Sequence, residues 1–392
     1  MTAGPTAGAS GASGAAVDRS MRSLVRERSI IVCCGSGGAG KTTTSAALAL
    51  AGAAAGRRAC VVTIDPARRL ADALGLGSLE NNARRIEGDW PGELSALMLD
   101  AKGTFDDLVH RYSESPEQAE RILSNRLYRN LTSALSGTQE YMAAEKLYEL
   151  NESGDFDLVV VDTPPTRNAL DFLDAPRRLT RFLENRVFRV LLMPGRASMK
   201  AFTVATQALL RTISRVAGSE IVEDAVAFFR AFEGMEQGFR DRAARVEHLL
   251  ADPGTAFVLV ATPRRDSVSE AHYFSARLAQ AGLPVAGLVM NRVHPDFRAG
   301  EFGPGVVSDE SLEPVRPPAD GVAARSLLVR LRENLDDLER VVSEERAYLR
   351  QLEGGVEGAV VEVPYLRDDV HDLAGLALVA DYVAGQVASE SA

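Results

Sequence analysis

The chain has 392 residues, 46% hydrophobic and 25% charged, which supplies a large core and excludes global disorder or a fibrous repeat. Its 44 Lys and Arg against 54 Asp and Glu leave a net charge of −10, the opposite of the clustered basic surface that grips a nucleic-acid backbone. Three cysteines, Cys33, Cys34 and Cys60, provide neither a disulfide framework nor a zinc-type C-x-x-C pair, and fit a reducing compartment.

Residues 1–20 are small, polar and rich in Gly and Ala, without the charged start and apolar stretch of a signal peptide, so they read as a disordered tail. Met21 is an alternative start, and a cytoplasmic chain without stable membrane insertion is expected. Strand-like apolar runs then recur at Ser29–Cys34, Ala59–Ile64, Leu94–Leu99, Leu158–Val161, Ala256–Ala261, Val285–Met290 and Ala359–Val363. Most are continuous and β-branched rather than alternating, as in strands covered on both faces. Helical stretches separate most of them, which predicts an α/β fold with a doubly wound, mostly parallel sheet. Two intervals, about 101–151 and 176–252, are too long for simple crossovers and predict one inserted helical subdomain on a domain spanning 21–392. A third insertion, about 295–353, joins a Gly/Pro-rich loop to a long helix. There Leu328, Leu331, Leu335, Leu338, Val342, Leu349 and Leu352 keep a-and-d spacing that is broken at Glu345. Packing on its own domain and a coiled-coil-like partner surface both fit that spacing.

Gly35-Ser36-Gly37-Gly38-Ala39-Gly40-Lys41-Thr42 follows the first strand and opens a helix, the context a phosphate-binding loop requires. Gly37, Gly38, Ala39 and Gly40 let successive backbone N–H groups surround phosphate oxygens, and the helix start at Thr43 adds its positive end. Lys41 is placed to neutralise the β- and γ-phosphates, and the Thr42 hydroxyl to ligate Mg²⁺. Two later strands end in carboxylates, Asp65 in Asp65-Pro66-Ala67 and Asp162 in Asp162-Thr163-Pro164-Pro165-Thr166. Carboxyl ends of neighbouring parallel strands converge on one crevice. Asp162 suits a magnesium-side carboxylate, reached through water, and Asp65 suits orientation of the attacking water, although a strand-ending Asp also serves as a helix cap.

Together these motifs resemble the ArsA-like ATPases, which include arsenite-pump ATPases and the guided-entry ATPases that deliver tail-anchored membrane proteins. The resemblance runs from about Ser29 to Tyr382. It takes in Gly137-Thr138-Gln139-Glu140, the segment Thr255–Pro263, Val289-Met290-Asn291-Arg292 and Val363-Pro364-Tyr365-Leu366. It implies ATP and Mg²⁺ as cofactors, Lys41, Asp65 and Asp162 as catalytic residues, and a nucleotide-driven dimer cycle that acts on a partner or cargo. It also implies that Asn291 reads adenine while Pro364 and Tyr365 cover the base.

The sequence departs from that family at Ser36, where relatives carry a second lysine that reaches the nucleotide of the opposite subunit. A heterodimer with a paralogue that retains this lysine is therefore expected, with a nucleotide-binding regulatory subunit as the alternative. A ParA- or MinD-like positioning ATPase is a further rival. The long stretch between Asp65 and Asp162, the acidic balance and the absence of Lys and Arg from Leu378 to Ala392 all speak against it. The cysteines read as small core residues, not arsenite ligands, and Met193, Met199 and Met235 only faintly echo a Met-rich client groove. The run from Phe182 to Leu191 fits internal packing or a hydrophobic groove.

Overall fold

The computed structural model describes residues 20–65, 67, 69–126, 128–129, 138–164, 171–184, 224, 227–228, 230–297, 321–356 and 358–385. The chain opens with α1 (Met21–Glu27), capped by the Ser20 hydroxyl, and enters the fully buried strand β1 (Ile30–Gly35). It continues through α2 (Lys41–Ala54), β2 (Arg58–Thr63), α3 (Arg69–Ala73), β3 (Arg84–Ile86) and β4 (Glu93–Met98). Helices α4 (Ala101–Tyr112), α5 (Pro116–Leu123) and α6 (Thr138–Ser153) precede β5 (Leu158–Asp162). Then come α7 (Asp171–Glu184), α8 (Glu236–Leu250), β6 (Thr255–Ala261), α9 (Arg265–Gln280), β7 (Val285–Val293), α10 (Gly321–Glu353), β8 (Ala359–Pro364) and α11 (Leu373–Val383).

The eight strands form one sheet in the order β3-β4-β2-β5-β1-β6-β7-β8. Every neighbouring pair is parallel except β3 with β4. All seven apolar runs read as strands are strands. The short edge strand β3 escapes sequence reading because Arg84 and Arg85 are exposed and only Ile86 faces inward. Both faces of the sheet are covered. Cys33, Val61, Val160 and Val258 pack on the side of α2 and α11, and Cys34, Cys60, Val161 and Leu259 on the side of α6, α8 and α9. Ala46, Ala47, Ala49 and Ala53 of α2 are fully buried, and their small side chains let the helix lie close on the strands.

A third apolar cluster lies among the helices. Val109 of α4, Ile122 of α5, Met142 of α6 and Phe239 of α8 meet around Tyr128, Phe228 and Phe232. Arg242 of α8 is buried there against α6. It donates to Glu145 at 2.7 Å and to Glu152 at 2.9 Å, with its guanidinium 3.9 Å from the centre of the Tyr148 ring. The run from Phe182 to Leu191, the methionines Met193 and Met199 and most of the 295–321 loop fall outside the described side chains.

The long helix α10 divides along its length. Leu349 and Leu352 enter the core, whereas Leu328 and Leu331 are 65% and 51% exposed. Glu345, which interrupts the apolar spacing, turns inward and accepts from the His294 amide at 2.8 Å. Among the described residues no helix is long and apolar enough to cross a membrane.

The buried Arg242–Glu145 pair joins α8 to α6, and removing one partner strands the other charge. Arg242→Ala is therefore expected to lower stability by about 3–5 kcal/mol in urea titration. A loss below about 1 kcal/mol would mean the pair does not hold these helices together.

Candidate functional site

The parallel register brings three strand ends level, with Asp162 of β5 beside Cys33 of β1 on one side and Thr63 of β2 on the other. The loop between β1 and α2 crosses above this edge. Gly40 stands at its end with φ 93° and no side chain to cap the helix. A Cβ at Gly40 would lie 2.2 Å from the Asn291 amide nitrogen, so both the backbone turn and the neighbour exclude any larger residue. The first N–H groups of α2 have no partner within the helix, leaving donors from Lys41 to Thr43 for an anion.

Lys41 is buried at the start of α2, where its Nζ donates to the carbonyls of Gly35 at 3.1 Å and Ser36 at 2.9 Å. Burial lowers its pKa, and the nearby charge of Asp162 opposes that shift. Asp162 is 1% exposed. Its Oδ2 accepts from both the Thr42 and the Thr63 hydroxyls at 2.9 Å. Burial pushes its pKa up to about 6, against the pull of those two hydroxyls and of Lys41. Its other oxygen, Oδ1, is buried with no hydrogen-bond partner among the described residues. Thr163 donates to the Cys33 carbonyl at 2.7 Å, locking the end of β5 to β1.

Asp65 follows β2 and is largely covered, with 14% of its side chain exposed. Its Oδ1 accepts from the Ala67 amide at 3.0 Å, and Arg69 lies 3.7 Å away. This is a turn contact two residues on and not a cap of α3, which starts at Arg69, and the carboxylate stands beside the same strand edge as Asp162.

On the far side of the loop, Ser36 is 7% exposed, and its hydroxyl is 2.7 Å from that of Ser267 in α9. Ser267 in turn accepts from the Thr262 amide at 3.0 Å, so the side chain at position 36 is tied inward. Asn291 donates to the Ala39 carbonyl at 2.9 Å, which leaves its oxygen and a second N–H for another partner. Arg292 has φ 61° and is the only non-glycine with positive φ among the described residues. Such a conformation costs about 1–3 kcal/mol. It coincides with a shift in the β7–β8 register between Asn291 and Val293. The Tyr365 ring stacks on His294 at 5.3 Å, and His294 is clamped by Glu345 at 2.7 Å. Arg292, His294, Glu345 and Tyr365, with Ser36, Gly37, Gly38 and Arg264, line a cavity of about 620 Å³.

Sequence reasoning placed Gly37 to Thr43, Asp65, Asp162, Asn291, Pro364 and Tyr365 along this edge of the sheet. It missed Thr63, Ser267, Arg292, His294 and Glu345 as parts of the arrangement. Thr63 ends a strand as Asp162 does and was legible by that parallel. Arg292 was hidden because regular alternation turns it away from Asn291. The oxygen donors of Thr42 and Asp162 suit a hard divalent cation, which takes few protein ligands beside phosphate and water. The free Oδ1 of Asp162 adds an acceptor still to be satisfied. The cysteines are buried, with Cys33 on the opposite face of the sheet from Cys34 and Cys60. Burial raises the pKa of Cys34 and Cys60 to about 12, which keeps them as thiols at neutral pH.

Residues 28–302, well over half of the chain, match the model of a family described as anion-transporting ATPase. Among individual proteins, the ATPase get3 of Schizosaccharomyces japonicus is 26% identical over 234 residues, 59% of this chain and 64% of the relative. The ATPase GET3 of Phaeosphaeria nodorum is 28% identical over 174 residues, 40% of this chain and 52% of the relative. An uncharacterized protein of Streptomyces coelicolor is 32% identical over 244 residues, 62% of this chain and 56% of the relative. The chain thus spans between about half and two thirds of the length of these three relatives.

The half-satisfied carboxylate of Asp162 generates a test that needs no ligand. Asp162→Asn retains an acceptor for Thr42 and Thr63 but removes a buried charge. In chain free of nucleotide and metal, the burial penalty relieved outweighs the counter-charge lost by Lys41, as the net upward shift of the Asp162 pKa requires. Stability at neutral pH is therefore expected to rise by roughly 1–3 kcal/mol. A lower melting temperature in that variant would show that the carboxylate is not held at a cost.

Proposed function

Because the chain belongs to the anion-transporting ATPase family, we propose that it binds Mg·ATP on Gly37 to Thr43 and hydrolyses it, and that this drives a conformational cycle acting on a partner. The observation that carries this reading is buried Lys41 and Asp162, with half-buried Thr42 donating to the carboxylate, at one strand edge beside the glycine loop that opens α2.

Lys41 has a ready exchange in such a site. Its ammonium rests on the Gly35 and Ser36 carbonyls and is released to phosphate oxygens without moving the helix that carries it. Thr42 and Asp162 would hold a magnesium ion, the carboxylate through a water that donates to its free Oδ1. Bound there, the ion would neutralise charge developing on the transferred phosphoryl group. Asp65 is the carboxylate left to orient the attacking water, its position fixed by the Ala67 amide. Asn291 retains both a donor and an acceptor for the adenine edge, and Pro364 and Tyr365 would cover the base from the end of β8.

The partner reading follows from Ser36. A hydroxyl tied to Ser267 carries no charge across an interface, so a homodimer would lack the trans cation expected from the resemblance. We therefore favour a dimer with a paralogue that supplies the lysine, and the nucleotide site of this chain as the one that receives it. The helices α4 to α8 are proposed as one subdomain that transmits the cycle to the cargo.

Two substitutions test the reading. Lys41→Ala should abolish measurable Mg·ATP binding in calorimetry, and affinity equal to wild type would remove the nucleotide site. Asp65→Asn keeps a side-chain acceptor for the Ala67 amide while removing the charge. Binding should survive in it while single-turnover hydrolysis falls by about 10²-fold or more. Unchanged turnover would leave Asp65 as a turn-capping residue alone.

A further inference from the structure

We propose that Arg292 is a positioning residue of the nucleotide site, fixing the Gly38–Ala39 peptide of the loop from outside. The inference rests on the nucleotide-binding reading and extends it to a residue that contacts the loop rather than the reacting atoms.

Successive side chains of a regular strand point to opposite faces. Asn291 and Arg292 do not. The register shift at the end of β7 and the left-handed backbone at Arg292, φ 61°, turn both side chains onto the same loop. Asn291 donates to the Ala39 carbonyl at 2.9 Å and Arg292 to the Gly38 carbonyl at 3.3 Å. In a trans peptide the C=O and N–H point in opposite directions. Holding the Ala39 carbonyl therefore directs the Gly40 N–H away from Asn291. Holding the Gly38 carbonyl sets the Ala39 N–H, which donates back to Ser36 at 3.3 Å. Two consecutive peptides are thus oriented by two consecutive side chains of one strand end.

This control matters because the loop has little of its own. Three of the five residues from Ser36 to Gly40 are glycines, whose peptides rotate readily without an external hold. A glycine at position 292 would suit the backbone better than any other residue. Arginine is there instead, in no ion pair with another described residue, and its guanidinium also sets a positive charge on the cavity wall beside Gly37 and Gly38. A strained backbone that persists at the rim of a site, and delivers a side chain to that site, points to a positioning use.

The test separates backbone from side chain. Arg292→Gly relieves the left-handed strain and removes the guanidinium; Arg292→Lys keeps a cation without the planar fork. Melting temperature without nucleotide and the Kd for Mg·ATP by calorimetry are measured for both, with Lys41→Ala as the control of the nucleotide site. Arg292→Gly is expected to melt at or above the wild-type temperature yet bind about tenfold more weakly, the scale of a lost charged hydrogen bond. Arg292→Lys should recover part of that affinity. Wild-type affinity in Arg292→Gly, with binding lost in Lys41→Ala, overturns the positioning role and leaves the nucleotide reading intact. A Gly variant that loses stability together with affinity, unrescued by Lys, also overturns it, because Arg292 then supports the fold alone. Full binding in Lys41→Ala overturns both readings.

Discussion

The site depends on a pair of opposite charges withdrawn from water. Lys41 and Asp162 are both nearly inaccessible, each pays for burial in its own pKa, and each partly offsets the shift of the other. An isolated buried ion is expensive, and it persists only where fixed dipoles and an opposite charge surround it. Two threonine hydroxyls serve the carboxylate and two backbone carbonyls serve the ammonium. One carboxylate oxygen is still unserved. That residue of unsatisfied polarity is what an anion with its cation would complete.

The sheet explains how such a set is assembled. Parallel pairing aligns Cys33, Asp162 and Thr63 at one level, so the loop after β1, the carboxylate ending β5 and the hydroxyl ending β2 meet without further adjustment. β7 needs an adjustment, because its final residues must reach sideways to the loop. The bulge and the left-handed residue at its end supply that reach. Beyond it, Glu345 of α10 clamps His294, and His294 stacks on Tyr365. The long helix is therefore tied by its C-terminal part to the rim of the cavity, while its N-terminal leucines remain exposed.

Much of this was legible in the sequence for stated physical reasons. Continuous β-branched runs marked the buried parallel strands, since strands covered on both faces need no alternation. The glycine loop between a strand and a helix, with Lys41 and Thr42 behind it, allowed little other use. The carboxylates at 65 and 162 were legible because each closes an apolar run. What stayed hidden depends on contacts between distant segments. Ser36 and Ser267 are 231 positions apart, and nothing local in either announces their hydrogen bond. Arg292 departs from the alternation of side-chain direction along a regular strand, and no local sequence signal announces its left-handed backbone. Glu345 registered only as a break in a leucine pattern, and the structure turns that break into the contact between α10 and His294. The strand β3 was missed because two of its three residues are exposed arginines.

The most direct test of the central claim is a crystal structure of the chain with Mg²⁺ and a non-hydrolysable ATP analogue. The account predicts that Lys41 Nζ leaves the Gly35 and Ser36 carbonyls for phosphate oxygens, that Thr42 and Asp162 face the metal, and that Asn291 and Arg292 keep their hold on the loop. A nucleotide bound elsewhere, with Lys41 still donating to both carbonyls, would contradict it.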